Sequence, residues 1–273
     1  MTALHKEFRI RAKDGTELFL QQWQSQKTAQ AELVIVHGYA EYGSRYRDFA
    51  MYLADQQIST ITVDVRGHGL SQGQRGYVEQ FSDYYQDVEQ ALKLASRTPF
   101  LLGHSHGGLI LLDYILATKP EIKGLILTNP FLGLAMPVPK IKVILGKLMG
   151  RIWPTLALPS GIDPRGVSRD LAIVQSYARD PMVFKVATAR WFVESCAAQE
   201  RVLTMKQLDA PLLYLYSDTD PIAKPSCSEQ LSEQLQTIDK KVVLRRGALH
   251  ELLNETDKLE VYQLISEWLR ERT

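Results

Sequence analysis

The sequence predicts an α/β fold, and three observations predict it. Short, continuously apolar runs recur at 33–36, 58–63, 100–102, 125–127, 212–215 and 242–244. Runs this brief and this apolar suit strands buried on both faces, as in a mainly parallel sheet. Between most of them lie stretches with helical spacing, Phe81 to Leu94, Leu109 to Leu116 and Leu259 to Leu269, so strand and helix alternate. Finally, 273 residues with 45% apolar and 23% charged side chains suffice for one sizeable core.

Taken in order, Phe8 to Ile10 and Leu18 to Leu20 alternate in polarity around the turn signal Asp14-Gly15, which predicts an antiparallel hairpin at one edge of the sheet. The buried strands follow. The interval from Pro130 to Pro211 breaks the rhythm: it is too long for one crossover and rich in helical patterning, so it reads as an inserted subdomain. Chemistry is expected where parallel strands end and loops begin.

Composition excludes several classes. A net charge of +1 with dispersed Lys and Arg offers no field for nucleic acid. The two cysteines, Cys196 and Cys227, form neither a CxxC nor a zinc spacing, so no metal and no disulfide framework is expected. The opening MTALHKEFRIRAKDG has no apolar core of a signal peptide, and no later run reaches the ~18 apolar residues of a membrane span. These features predict a cytoplasmic protein with, at most, peripheral membrane contact.

Ser105 stands between the apolar run FLLGH and the helical stretch HGGLILLDYIL, with Gly103 and Gly107 two residues to either side. That is a GxSxG pattern at a strand-turn-helix junction, where the chain turns too sharply to leave room for a Cβ at the flanking positions. A serine hydroxyl needs a base, and the base needs an orienting group. Of the six histidines, His5 lies in the N-terminal tail, and His37 and His68 sit in tight Gly-containing turns. His104 and His106 flank the serine too closely to fold back onto its Oγ. His250 remains, in the loop after the last apolar run, at the sheet edge where Ser105 emerges. The acid should lie between the two in the chain, and the run LLYLYS ends in Asp218-Thr219-Asp220. A spacing of two leaves both aspartates open as candidates.

HGYAEYGSRY at 37–46, VDVRGHGLSQGQRGYVEQFSDYYQDV at 63–88, GHSHGG at 103–108, SDTDPI at 217–222 and ALHELLNE at 248–255 together resemble the α/β-hydrolases of the monoacylglycerol lipase and lysophospholipase type, over nearly the whole chain. The resemblance implies a single domain, 1–273, built on a mostly parallel eight-stranded sheet flanked by helices, with a helical cap at 131–200 inserted after the sixth strand. It implies Ser105 as nucleophile, His250 as base and Asp220 as acid, the last because the family's acid follows a Gly-x-x-Asp pattern, here with Ser217 in place of the glycine. The oxyanion hole would be the backbone N–H groups of Tyr39 and His106, and no cofactor is implied. Tyr42 stands in place of a common histidine and His106 in place of a common methionine.

The resemblance further implies an apolar acyl tunnel roofed by the cap, with Leu132, Leu134, Leu148 and Leu156 as lining candidates, and Tyr177 near the alcohol group. Within the cap, Ile141, Ile144, Leu145, Leu148, Met149 and Ile152 recur at helical spacing beside Lys140, Lys142, Lys147 and Arg151. That stripe either packs on the core or rests on lipid. The implied reaction is hydrolysis of a single-chain lipid ester, monoacylglycerol or lysophospholipid. Another acyl ester or thioester is the nearest alternative, and a silent binding protein a remoter one, since all three triad types are present. A dehalogenase or epoxide hydrolase would need an aspartate where Ser105 stands.

Overall fold

The computed structural model describes residues 3–136, 146 and 148–273. Among these, eight strands form one sheet: β1 (Leu4–Arg11), β2 (Glu17–Gln24), β3 (Ala31–Val36), β4 (Ile58–Asp64), β5 (Phe100–His104), β6 (Gly124–Thr128), β7 (Leu212–Tyr216) and β8 (Lys240–Leu244). Their spatial order is β1-β2-β4-β3-β5-β6-β7-β8. β2 pairs antiparallel with β1 and β4, and every other pairing is parallel. The predicted hairpin sits at one edge, in register from Leu4↔Gln24 to Arg11↔Glu17.

Side chains alternate across the central strands and so feed two separate cores. Leu33, Ile35, Phe100, Leu102, Leu213 and Leu215 face α1 (Arg47–Asp55) and α7 (Lys258–Arg270), packing around Phe49, Tyr262 and Trp268. Val34, Val36, Leu101, Leu125, Leu212 and Tyr214 face the other way, toward α2 (Asp83–Leu94), α3 (His106–Thr118), α5 (Ala189–Val202) and α6 (Pro225–Gln234). α3 is apolar almost all round, as a helix at the centre of a large core should be. Neither α1 nor α6 is among the predicted helices; α6 carries a weak apolar stripe, whereas that of α1 is as strong as those of α2 and α7 but spans only nine residues.

One expectation needs correcting. The run at 242–244 was read as doubly buried, but β8 pairs only with β7 and Val242 is 40% exposed. At this edge Val243 and Leu244 still pack against opposite cores but are only partly buried, and a run of three residues is too short to reveal this.

Between β6 and β7 the chain leaves the sheet. This insertion holds helical residues 148–152, a short antiparallel pairing of Ala157–Pro159 with Val186–Thr188, α4 (Leu171–Arg179) and α5. Asp170 and Thr188 cap α4 and α5 by accepting from Ala172 N–H and Trp191 N–H. Arg201 of α5 grips the buried Asp113 of α3 at 2.9 and 2.7 Å, which fastens the insertion to the core. Lys140, Ile141, Lys142, Ile144, Leu145 and Lys147 lie outside the described residues.

Candidate active site

Ser105 occupies the turn from β5 into α3 with φ 50° and ψ −117°, a left-handed conformation that L-residues avoid. The flanking glycines explain how the turn closes. A Cβ on Gly103 would stand 2.6 Å from Gly108 Cα, and one on Gly107 would run into the Val36 carbonyl. The strained peptide is pinned from both sides: Ser105 N–H donates to Thr128 O (3.0 Å), and Ser105 O accepts from Phe131 N–H (2.9 Å).

His250, on the loop after β8, brings its Nε2 to 2.8 Å from Ser105 Oγ. Its Nδ1 lies 2.7 Å from Asp220 Oδ2. A carboxylate can only accept, so Nδ1 carries the proton and Nε2 is free to accept from the serine hydroxyl. Asp220 is held by Ile222 and Ala223 N–H groups on its other oxygen, at 2.8 and 3.0 Å. Asp218 points elsewhere, toward Gly247 N–H at 2.9 Å and Arg246, and is exposed. The chain bends at 218–219, so the shared face that a spacing of two implies for an extended strand is lost.

The electrostatics fit a base. Burial alone would push the His250 imidazole down, but Asp220, by charge and by hydrogen bond, overrides it and holds the ring above its ordinary value. The other histidines around the serine go the opposite way. Burial lowers His104, with the His250 ring 4.8 Å away adding to the effect, and burial takes His106 down to about 3. Neither flanking imidazole reaches the serine: His104 Nδ1 lies 3.0 Å from Thr128 O, and both ring nitrogens of His106 are buried without a hydrogen-bond partner among the described residues.

Tyr39 and His106 stand beside the serine, one on the loop after β3 and the other at the first residue of α3. A Cβ on neighbouring Gly38 would lie 3.2 Å from Ser105 Cβ, so that loop backs directly onto the nucleophile turn. No acceptor among the described residues takes the backbone N–H of Tyr39 or of His106. The Tyr39 side chain faces away, its ring 3.9 Å from Trp191 and its hydroxyl donating to Val186 O (2.6 Å).

Ser105 and His250 open into a cavity of about 490 Å³ whose described wall includes Phe131, Leu134, Met149, Leu156, Leu158 and Trp191, with Tyr177 among the polar groups. Two of the lining candidates are placed elsewhere. Leu132 is 1% exposed and packs in the sheet's core, and Leu148 is 47% exposed at the surface. In the helical residues around it, Gly146 and Met149 share the cavity face at a spacing of three, which turns Leu148 away.

The structure adds supports that the sequence analysis did not single out. Glu41 Oε1 accepts from Gly38 N–H (2.6 Å) and Tyr46 OH (2.8 Å). Arg45 joins Glu41 Oε2 (2.8 Å) to both oxygens of Glu251 (2.7 Å each) and lies 4.9 Å from the centre of the Tyr177 ring. From the insertion, Gly166 and Val167 carbonyls accept from His250 and Glu251 N–H at 3.2 and 2.7 Å. Glu41, Arg45 and Glu251 fall inside motifs already quoted, and their mutual distance hid the connection. Among the described residues no cluster of His, Cys, Asp or Glu could hold a metal ion, and no helix is long and apolar enough to cross a membrane.

Comparison with known proteins agrees with this architecture. Residues 27–257 match the family Hydrolase_4, described as serine aminopeptidase, S33. Mouse monoglyceride lipase is 30% identical over 95% of this chain and 88% of its own length. An uncharacterized abhydrolase domain-containing protein of Dictyostelium discoideum is 31% identical over 95% of this chain, which spans only 28% of that larger protein. The crystal structure of Paleococcus ferrophilus monoacylglycerol lipase superposes with a TM-score of 0.84 at 28% identity, covering 100% of both chains. The chain therefore belongs to the Hydrolase_4 family and is a monoglyceride lipase-like α/β-hydrolase.

Proposed function

We propose that the protein hydrolyses carboxylic esters of single-chain lipids, monoacylglycerol or lysophospholipid, through a Ser105-His250-Asp220 triad and an acyl-enzyme. The observation that carries this reading is one continuous relay, Asp220 to His250 to Ser105, opening into an apolar cavity. As Ser105 Oγ attacks the carbonyl carbon, His250 Nε2 takes its proton, and Asp220 stabilises the imidazolium that forms. The N–H groups of Tyr39 and His106 receive the oxyanion, where loss of a single donor costs about a hundredfold or more in rate. His250 then returns the proton to the departing alcohol. Water, deprotonated by the same imidazole, releases the fatty acid. The acyl chain lies along Leu134, Met149, Leu156 and Leu158, under a cap formed by residues 131–200, with the alcohol near Tyr177.

The test is covalent labelling followed by substrate profiling. A fluorophosphonate should modify Ser105, and Ser105→Ala should remain folded while losing both the label and turnover of a p-nitrophenyl ester. Label on another residue, or undiminished turnover by the variant, removes Ser105 from the mechanism. A panel of monoacylglycerols, lysophospholipids and acyl thioesters then identifies the substrate class.

The insertion also exposes Met136, Leu148, Ile152, Trp153 and Leu158, each 47–68% accessible. Exposed apolar residues on the same insertion, one of which, Leu158, also lines the cavity, suit peripheral contact with a membrane surface. Vesicle co-sedimentation with and without anionic lipid tests it. Equal recovery of the protein in the supernatant with and without vesicles counts against it.

A further inference from the structure

The charged groups in the cavity wall are unevenly distributed. Among its described lining residues there is no Lys or Arg, whereas Glu41 and Glu251 both reach it. They flank the reacting centre: Glu41 receives the N–H of Gly38, whose backbone lies against Ser105, and Glu251 directly follows His250. Both side chains are nearly buried, at 4% and 5% exposure. Their cation is Arg45, itself 11% exposed, and three of its five N–H groups are held by these carboxylates: both on Nη1, with Glu41 and Glu251, and one on Nη2, with Glu251. The Tyr177 ring lies against the guanidinium.

Two carboxylates and one guanidinium leave this end of the cavity with a net negative charge. Burial by itself would push the Glu41 carboxyl up, but the charge of Arg45 and the hydrogen bond from Gly38 N–H hold it below its ordinary value, so it is ionised. Burial also limits screening by salt. The rest of the wall is largely apolar and takes the acyl chain, so the alcohol part of an ester faces the carboxylates.

On the proposed lipid-ester reading, we infer that Glu41 and Glu251 are specificity-determining residues that admit esters of uncharged or cationic alcohols and reject esters whose alcohol carries a phosphate. A phosphate placed here meets like charge in a poorly hydrated site, beside a guanidinium whose single positive charge is already outweighed by two carboxylates. A polyol meets hydrogen-bond acceptors. This separates two substrates that an acyl tunnel alone cannot tell apart.

The test uses octanoyl esters below their micellar concentrations: of glycerol (neutral), choline (cationic) and glycerol phosphate (anionic), with p-nitrophenyl octanoate as reference. For the wild type, kcat/KM for the glycerol and choline esters should each exceed that for the phosphate ester by about tenfold or more. Glu251→Gln and Glu41→Gln, each removing one negative charge, should narrow that ratio. Phosphate ester turnover within about threefold of the glycerol ester, alongside normal p-nitrophenyl octanoate turnover, overturns the charge filter and leaves the hydrolase reading intact. Rejection of the choline ester together with the phosphate ester would make size the discriminator and overturn it too. An unchanged ratio in folded variants has the same consequence, and the wild-type ratios decide the matter even if neither variant folds. Failure to hydrolyse the reference ester overturns the hydrolase reading and this one with it.

Discussion

Asn129 donates through Nδ2 to the His250 carbonyl over 2.7 Å. Its Oδ1 accepts from Ser217 N–H at 2.8 Å, and its own N–H donates to Leu215 O at 3.0 Å. A single buried amide thus ties the ends of β6 and β7 to the loop that carries the imidazole. Its φ of 43° is in the left-handed region, which asparagine tolerates better than most residues.

Asn129→Gly keeps that backbone conformation accessible and removes only the side-chain bonds. With three backbone groups, the Leu249 and His250 carbonyls and Ser217 N–H, losing their partner, stability should fall by about 2–4 kcal/mol, read as a lower urea midpoint. Turnover number should drop more than KM rises, because the base is displaced and the acyl cavity is not. An unchanged kcat would show that the His250 loop positions itself.

Asp220→Asn should lower kcat by about 10⁴-fold, because the amide forces the imidazole into the tautomer that cannot accept from Ser105. The carboxylate is also what keeps His250 above its ordinary value against burial. Activity of the wild type should therefore fall as pH drops through a value above 6.5, where His250 takes up its proton. In the variant this acid limb should move to lower pH. A pH profile of kcat/KM with a fixed limb would separate Asp220 from the titration of the base.

His106→Met should stabilise the protein, and more so in acid. Both ring nitrogens are buried without partners among the described residues, so at pH 7 the thioether gains about 1–2 kcal/mol. Because the folded-state value of His106 is depressed from 6.5 to about 3, the unfolded chain binds a proton that the folded one refuses, and stability is lost as pH falls across that window. At pH 5 the variant's advantage should grow by about 2 kcal/mol. His68 and His104, also lowered by burial, act in the same direction and remain in the variant. Urea titrations at the two pH values provide the check, and equal gains at both would contradict the account.

Arg45→Met leaves Glu41 and Glu251 buried with no cation between them. Removing one partner of such a network costs about 3–5 kcal/mol, far more than an exposed ion pair would. The melting temperature of the variant measures it, and a change of only a degree or two would mean that solvent reaches both carboxylates.

Much of this was readable along the chain. Strand and helix alternation, the edge hairpin at Asp14-Gly15, the turn around Ser105 and the late position of His250 are local patterns or consequences of chain order, and local sterics and hydrophobic periodicity write them into the sequence. Which aspartate reaches the imidazole was not readable, since Asp218 and Asp220 differ only in how the chain bends after β7. Nor were the linkage of Arg45 to Glu251 across 206 residues, the clamp at Asn129, or the facing of Met149 rather than Leu148 into the cavity. These depend on the rotation and approach of elements far apart in sequence. Close packing in three dimensions decides such contacts, and no periodicity records them.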